Sequence, residues 1–533
     1  MIGRLGRGVA GAAVLIGVIT ILGRVAGFGK QLAFAHTVGT KCLATAYYTA
    51  NQIPNLVFEI VVGGALAGMV VPVLAGPAGR AAKDEVSAVS SALLTWVLVL
   101  LVPLSLLTAL LAGPVVSLFV GDPAGCDAGA VVATATRMLV VFAPQIALYG
   151  IAVVLYGVLQ AHRRFAGPAL APLVSSLVVI VAYLAFVPLS HGEIRPGLVP
   201  EPAELVLSGG TTLGVVALVV AVLGPAARLR LRWRPALRFP PGVAAQVRTL
   251  ALAGLSALLA QQVAMAVVVW LANAAGSGRI AAYNYAWAIY LVPYAVLAVP
   301  IATSAFPVLS ARAEAGDHDG FAALSARTTR VVLLVSGLAA GTLAATAGPI
   351  ADVFLQQAPT DVRVPEFARA IALFAPGLLG YGLTAHLTRV LYASGHGRPA
   401  ARDMVAGWAV VIAAQTAFSL TFPQPWKLGG LALGQAAGMT VAGILLLLSV
   451  RRAAGGPALV GTPRAGVAAL LGGVTAYLSG SAVVHVFGPQ PLWGSVLETA
   501  VAALAAAAGG ILVAAAIDRG DLRALLSRKA VPR

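Results

Sequence analysis

Only 10% of the 533 residues carry a charge and just 18 are acidic, too little ionic surface to clothe a water-soluble fold. Two cysteines make no disulfide framework, and the seven histidines form no His/Cys/carboxylate cluster with metal-ligand spacing. Phosphate-cradling Gly-Lys loops and nucleophile elbows are also missing, so the sequence offers no site for covalent or nucleotide-driven chemistry. The expectation is a protein without metal or cofactor that is not an enzyme. Cys42 and Cys126 both fall near loops on the outer side, where oxidation is chemically open, and are read as free thiols.

Apolar residues are abundant instead. They make up 59% of the chain, the mean hydropathy is +0.93, and runs of about 20 recur from end to end, each long enough to cross the hydrocarbon core as a helix. About 14 such spans are present, from 10–35 and 43–75 through to 465–487 and 493–517. The runs are apolar on every face, whereas the strands of a β-barrel alternate. The fold class is therefore all-α, a polytopic membrane protein. An N-terminal six-helix bundle (1–226), a basic cytoplasmic linker (227–246), a second six-helix bundle (247–455), two additional helices (456–517) and a basic cytoplasmic tail (518–533) are expected.

The net charge of +17 resides in alternate loops. With the N-terminus inside, about 25 cations face the cytoplasm and about 6 the opposite side, so both termini are expected in the cytoplasm. The run RLRLRWRPALR at 228–238 is the most basic segment, and anionic lipid headgroups are its expected partner. No loop is long enough for a folded nucleic-acid-binding module, so no nucleic-acid partner is expected. Ala33-Phe34-Ala35 imitates a signal-peptidase site, but Arg24 and Gly27 interrupt the long run before it and cleavage is not expected.

Few charges remain within the apolar spans. Arg24 is central in the first, inside ILGRVAGFGKQLAFA, and Lys30 lies one to two turns further on, able to snorkel. A mid-bilayer arginine costs at least ~3 kcal/mol and marks a transport pathway more often than an anchor. Six residues of regular helix separate the two directions by about 120°, and a local break at Gly27 or Gly29 would let both cations face one cavity. Glu59 in the second span is the candidate counter-charge, either as a static partner of Arg24 or as a gating group. Pro54-Asn55 and Gly63-Gly64 flank it as candidate hinge residues, with helix packing as the plainer role for the glycine pair. Arg389 is a candidate cavity cation for which snorkelling is the simpler account, and interfacial solvation suffices for Arg137, Asp352 and Glu498. Gln261 and Gln262 either line a cavity or bond between helices.

The order of short motifs resembles the MurJ (MviN) lipid II flippases of the multidrug/oligosaccharidyl-lipid/polysaccharide exporter superfamily. The motifs are Gly23-Arg24-Val25-Ala26-Gly27-Phe28-Gly29-Lys30, Ile53-Pro54-Asn55-Leu56, Val71-Pro72-Val73-Leu74, Pro144-Gln145 with Tyr149-Gly150, AHRRFAGPALAP at 161–172, Tyr283-Asn284-Tyr285-Ala286, FPVLS at 306–310 and Arg389-Val390-Leu391-Tyr392-Ala393. The resemblance implies two six-helix bundles around a cationic cavity, two last helices forming a groove for a lipid tail, and a polyprenyl pyrophosphate-linked glycan as substrate in the bacterial cytoplasmic membrane. Arg24, Lys30, Glu59 and Arg389 are the implied substrate-binding residues. The chain departs from the pattern at charged positions. Gln31 and Thr45 stand where acids are usual, Phe58-Glu59 replaces a basic pair, Gly63 replaces Glu, and Trp287-Ala288 replaces an acid-Arg pair. Two alternatives follow: export of another polyprenyl-linked glycan or a small molecule, and a transport-inactive scaffold for cell-wall synthesis proteins.

Overall fold

The computed structural model describes residues 2–60, 67–80, 82–121, 123–239 and 255–517. These form helices and no sheet, as the uniformly apolar runs require. The helices are α1 (Ile2–Thr37), α2 (Cys42–Phe58), α3 (Ala67–Gly79), α4 (Lys83–Leu110), α5 (Ala112–Val120), α6 (Ala128–Phe142), α7 (Gln145–Ala161), α8 (Ala166–Ser190), α9 (Glu201–Ala227) and α10 (Leu255–Ala274). They continue with α11 (Arg279–Pro293), a π turn (Tyr294–Ala298), α12 (Val299–Glu314), α13 (His318–Ala345), α14 (Ala347–Leu355), α15 (Val364–Phe374), α16 (Gly377–Ala393), α17 (Gly397–Thr421), α18 (Lys427–Ala454), α19 (Thr462–Phe487) and α20 (Leu492–Ile517).

Among the described residues, 13 helical stretches are long and apolar enough to span a membrane. They correspond to all but the second of the spans expected from hydropathy. Of that one, α2 and α3 are described; residues 61–66, with Gly63 and Gly64, lie outside the described residues.

The chain divides into two compact units, Met1–Ala281 and Ala282–Arg533. In the first, α1 packs on α8, α8 on α9, and α7 against α3 and α4. Val70, Leu74, Val89, Leu93, Val97, Leu101, Val154 and Val158 fill the core between α3, α4 and α7. In the second, α18 packs on α16 and α17, and α19 lies against α13 and α20. The α13–α19 contact is a backbone approach: a Cβ at Gly341 would stand 2.0 Å from the Gly473 carbonyl oxygen. Membrane helices gain little from hydrophobic exclusion against one another, so this close packing supplies the association energy.

Two features depart from the expectations for the loops. Cys42, at the start of α2, and Cys126, before α6, form a disulfide with their Cα atoms 5.7 Å apart, so the free-thiol reading is corrected. A sequence separation of 84 hid a contact that only the folded turns create. A thiol reagent applied to denatured, unreduced protein is expected to label neither cysteine; labelling of either would contradict the pairing.

The second feature is the basic run, which is pinned to α4 by a ladder of hydroxyl groups. Arg232 N–H donates to Ser87 Oγ (3.2 Å), Arg234 N–H to Ser91 Oγ (3.1 Å) and Ala236 N–H to Thr95 Oγ1 (3.0 Å), while the Trp96 indole N–H donates to the Leu237 carbonyl (3.0 Å). Ser87, Ser91 and Thr95 recur every four residues and so share one face of α4. Leu231 anchors the strap in the core of the first unit, and Arg228, Arg230, Arg232, Arg234 and Arg238 remain exposed.

Candidate functional site

In the first unit the intramembrane cations stand on an unbroken helix. α1 continues through Gly27 and Gly29, so the local break entertained from the sequence is absent, and Arg24 and Lys30 point about 120° apart. Gly23 and Gly29 face α8, where added Cβ atoms would lie 3.8 Å from Leu173 and 4.0 Å from Ile180. Arg24 is exposed on the protein surface and Lys30 is half-buried. Among the described residues neither hydrogen-bonds or ion-pairs with any protein group, and the same holds for Glu59, so no Arg24–Glu59 bridge forms. A desolvated cation without a protein carboxylate is free to take an anionic ligand.

α2 passes through Pro54 and ends in a π turn at Glu59-Ile60, with the Glu59 N–H shared between the carbonyls of Asn55 and Leu56. Pro54 supplies no N–H, and the Asn55 side-chain amide donates to the Asn51 carbonyl (2.9 Å). Glu59 is half-buried there.

The positions that lack the expected acids hold neutral networks. Gln31 accepts a hydrogen bond from the Tyr48 hydroxyl (2.7 Å), and the Tyr47 hydroxyl bonds those of Tyr183 (2.7 Å) and Thr211 (2.8 Å). Phe34 packs against Tyr47, Tyr48 and Tyr183 with ring centroids 4.7–5.0 Å apart. Thr45 accepts from the Gly278 N–H (2.9 Å), in the turn that joins α10 to α11. Asn273 reinforces that docking by donating to Thr49 Oγ1 and to the Phe119 carbonyl (both 2.9 Å), and Ser277 N–H donates to the Ala124 carbonyl (3.1 Å) beside the disulfide.

In the second unit Arg389 is half-buried on α16, and its guanidinium donates back to the Ala385 carbonyl of its own helix. The solvation account given for Glu498 is corrected, whereas Arg137 is exposed, as that account requires. Arg137 makes a two-pronged bridge to Glu204, with Nε and Nη2 2.8 and 2.7 Å from the two carboxylate oxygens. Glu498 is 3% exposed, buried between helices; Asp352 is half-buried. Gln262 is buried and Gln261 half-buried, but two other buried amides, Gln415 and Gln435, escaped the sequence reading. Their isolated polar letters in apolar runs were the available signal. An aromatic cluster around Trp287 also escaped it, although the spacing of the rings in YNYAWAIYLVPY places them on one helical stripe.

Residues 34–501 match the family described as lipid II flippase MurJ. The chain belongs to the MurJ family. The match begins just after Arg24 and Lys30, and takes in Glu59, Trp287 and Arg389. The lipid II flippase MurJ of Burkholderia cenocepacia is 26% identical over 70% of this chain and 71% of its own. A probable lipid II flippase MurJ of Synechocystis is 27% identical over 74% and 73%. The fold agrees with a solved lipid II flippase MurJ in an inward closed conformation, at a TM-score of 0.72 over 96% of this chain and 100% of that one, with 17% identity. An inward-facing multidrug resistance MATE family transporter gives 0.67 over 84% of this chain and 98% of that one, with 16% identity. This MurJ-family chain is thus a divergent, multi-pass member of a superfamily of alternating-access transporters rather than of enzymes.

Proposed function

We propose that this protein flips lipid II, the polyprenyl pyrophosphate-linked precursor of peptidoglycan, across the bacterial cytoplasmic membrane. The observation that carries this reading is a pair of intramembrane cations, Arg24 and Lys30, that no carboxylate among the described residues neutralises, in a chain of the MurJ family. The pyrophosphate supplies the missing anion, the polyprenyl tail stays in lipid, and rocking of the two helical bundles carries the headgroup outward. Glu59, at the π turn that ends α2, releases the cations from the substrate when the state changes. Pro54, Asn55, Gly27 and Gly29 give the first two spans their pliancy, and Arg389 guides the anion at the rim. Positive-inside bias sets both termini in the cytoplasm, where the exposed arginines of the strap on α4 meet anionic headgroups.

Expression of the wild-type chain is expected to restore growth and normal shape to bacteria depleted of their own lipid II flippase. Membrane-inserted protein that gives no rescue would count against lipid II as the cargo.

A further inference from the structure

Tyr283, Trp287, Tyr290 and Tyr294 recur at i, i+4, i+7 and i+11 and form one aromatic stripe along α11 into its π turn. The stripe meets Phe374, the last residue of α15, and Tyr381 of α16. Ring centroids lie 6.2 Å apart for Trp287–Tyr381, 4.2 Å for Tyr294–Tyr381, 5.5 Å for Trp287–Tyr290 and 5.2 Å for Tyr290–Phe374. The six rings make two layers. Tyr283, Tyr290 and Phe374 are buried behind, while Trp287, Tyr294 and Tyr381 are half-buried in front.

Core packing accounts for the back layer but not for the front. α16 is buried along most of its length, and from Tyr381 onward its accessible side chains are those of Tyr381, Thr388, Arg389, Tyr392 and Ala393. The surfaces that α19 and α20 expose are mostly aliphatic, as at Leu470, Val474, Leu504 and Leu512, with aromatic exceptions at Tyr477, Phe487 and Trp493. Hydroxyls and a guanidinium are costly against lipid, so the accessible stripe of α16 suits a polar pathway. Two further observations mark the place. The Tyr290 hydroxyl is buried without a hydrogen-bond partner, and the stripe ends on the π turn at Tyr294.

We propose that Trp287 and Tyr381 form a stacking platform for a sugar ring of the lipid-linked headgroup, a proposal that rests on the flippase reading above. A pyranose presents a face of C–H bonds that is apolar and faintly positive, and packs flat on the negative face of an indole or phenol. Its hydroxyls meet the phenol groups at the edge of the platform. Arg389 stands eight residues from Tyr381, roughly 12 Å along the axis of α16, so one helix offers a ring face for sugar and a cation for phosphate. Headgroup selection in this unit thereby depends on stacking at Trp287 and Tyr381.

The test compares two ligands on purified full-length protein in nanodiscs: lipid II, and undecaprenyl pyrophosphate without sugar. Trp287→Leu and Tyr381→Leu, which keep an apolar side chain but remove the π face, are expected to weaken lipid II binding roughly five- to tenfold and to leave undecaprenyl pyrophosphate binding unchanged. Trp287→Phe is expected to retain most of the lipid II affinity. Unchanged lipid II binding in both leucine variants, or equal loss of both ligands, would overturn the platform alone. Wild-type protein that binds neither lipid overturns the flippase reading and takes the platform with it.

Discussion

Arg24→Ala is expected to abolish rescue of cells depleted of their own lipid II flippase while leaving the amount of protein in the membrane unchanged. Arg24 is exposed on α1 and, among the described residues, holds no hydrogen-bond or ion-pair partner that its removal would release. What is lost is a desolvated cation–phosphate contact, worth about 2–5 kcal/mol, or at least a roughly thirtyfold fall in headgroup affinity. Arg24→Lys retains the charge but forfeits two-pronged phosphate geometry, so partial rescue is expected. Lys30→Ala should fall between wild type and Arg24→Ala, because a half-buried lysine contributes charge without the planar fork. Growth after depletion, with membrane fractions blotted in parallel, reads all three. Full rescue by Arg24→Ala would remove the residue from the substrate path.

The second large effect is expected at Gly278. Its φ of +69° lies in the left-handed region, and a Cβ there would stand 1.6 Å from the Thr40 carbonyl oxygen. Alanine must displace the turn between α10 and α11 from the start of α2, taking with it the Gly278–Thr45 bond and loosening Asn273 from Thr49. Backbone strain and overpacking together are expected to cost about 2–4 kcal/mol. A clear drop in melting temperature in detergent should follow. Gly316→Ala serves as the control, since Gly316 has the same φ of +69° but open space around it, and its loss should be smaller. Equal melting of Gly278→Ala and wild type would show that the turn does not dock as described.

The sequence made the architecture legible because each span must satisfy its own backbone and carry apolar side chains on all faces. Residues 128–161 and 166–190 illustrate this, since their hydropathy alone identifies them as spans. The intramembrane cations were legible for the same reason, as exceptions to an otherwise uniform pattern. Partners distant in the chain were not. Cys42 meets Cys126, Arg137 meets Glu204, and Thr45 meets Gly278 only because helix ends converge after folding. Gly27 and Gly29 allow either close helix approach or a local break, and α1 remains helical through both, because glycine permits a distortion without requiring one. The stripe from Tyr283 to Tyr294 was readable in its spacing, but its meeting with Phe374 and Tyr381 depends on how α15 and α16 pack.

The central claim is that the intramembrane cations Arg24 and Lys30 bind the pyrophosphate of a lipid-linked cell-wall precursor, and equilibrium binding of lipid II to the purified chain in nanodiscs tests it most directly. Saturable binding that weakens at least roughly thirtyfold in Arg24→Ala is the expected result. A chain that shows no saturable association with lipid II or with undecaprenyl pyrophosphate, while co-purifying with cell-wall synthesis enzymes, would contradict the account and identify a scaffold instead.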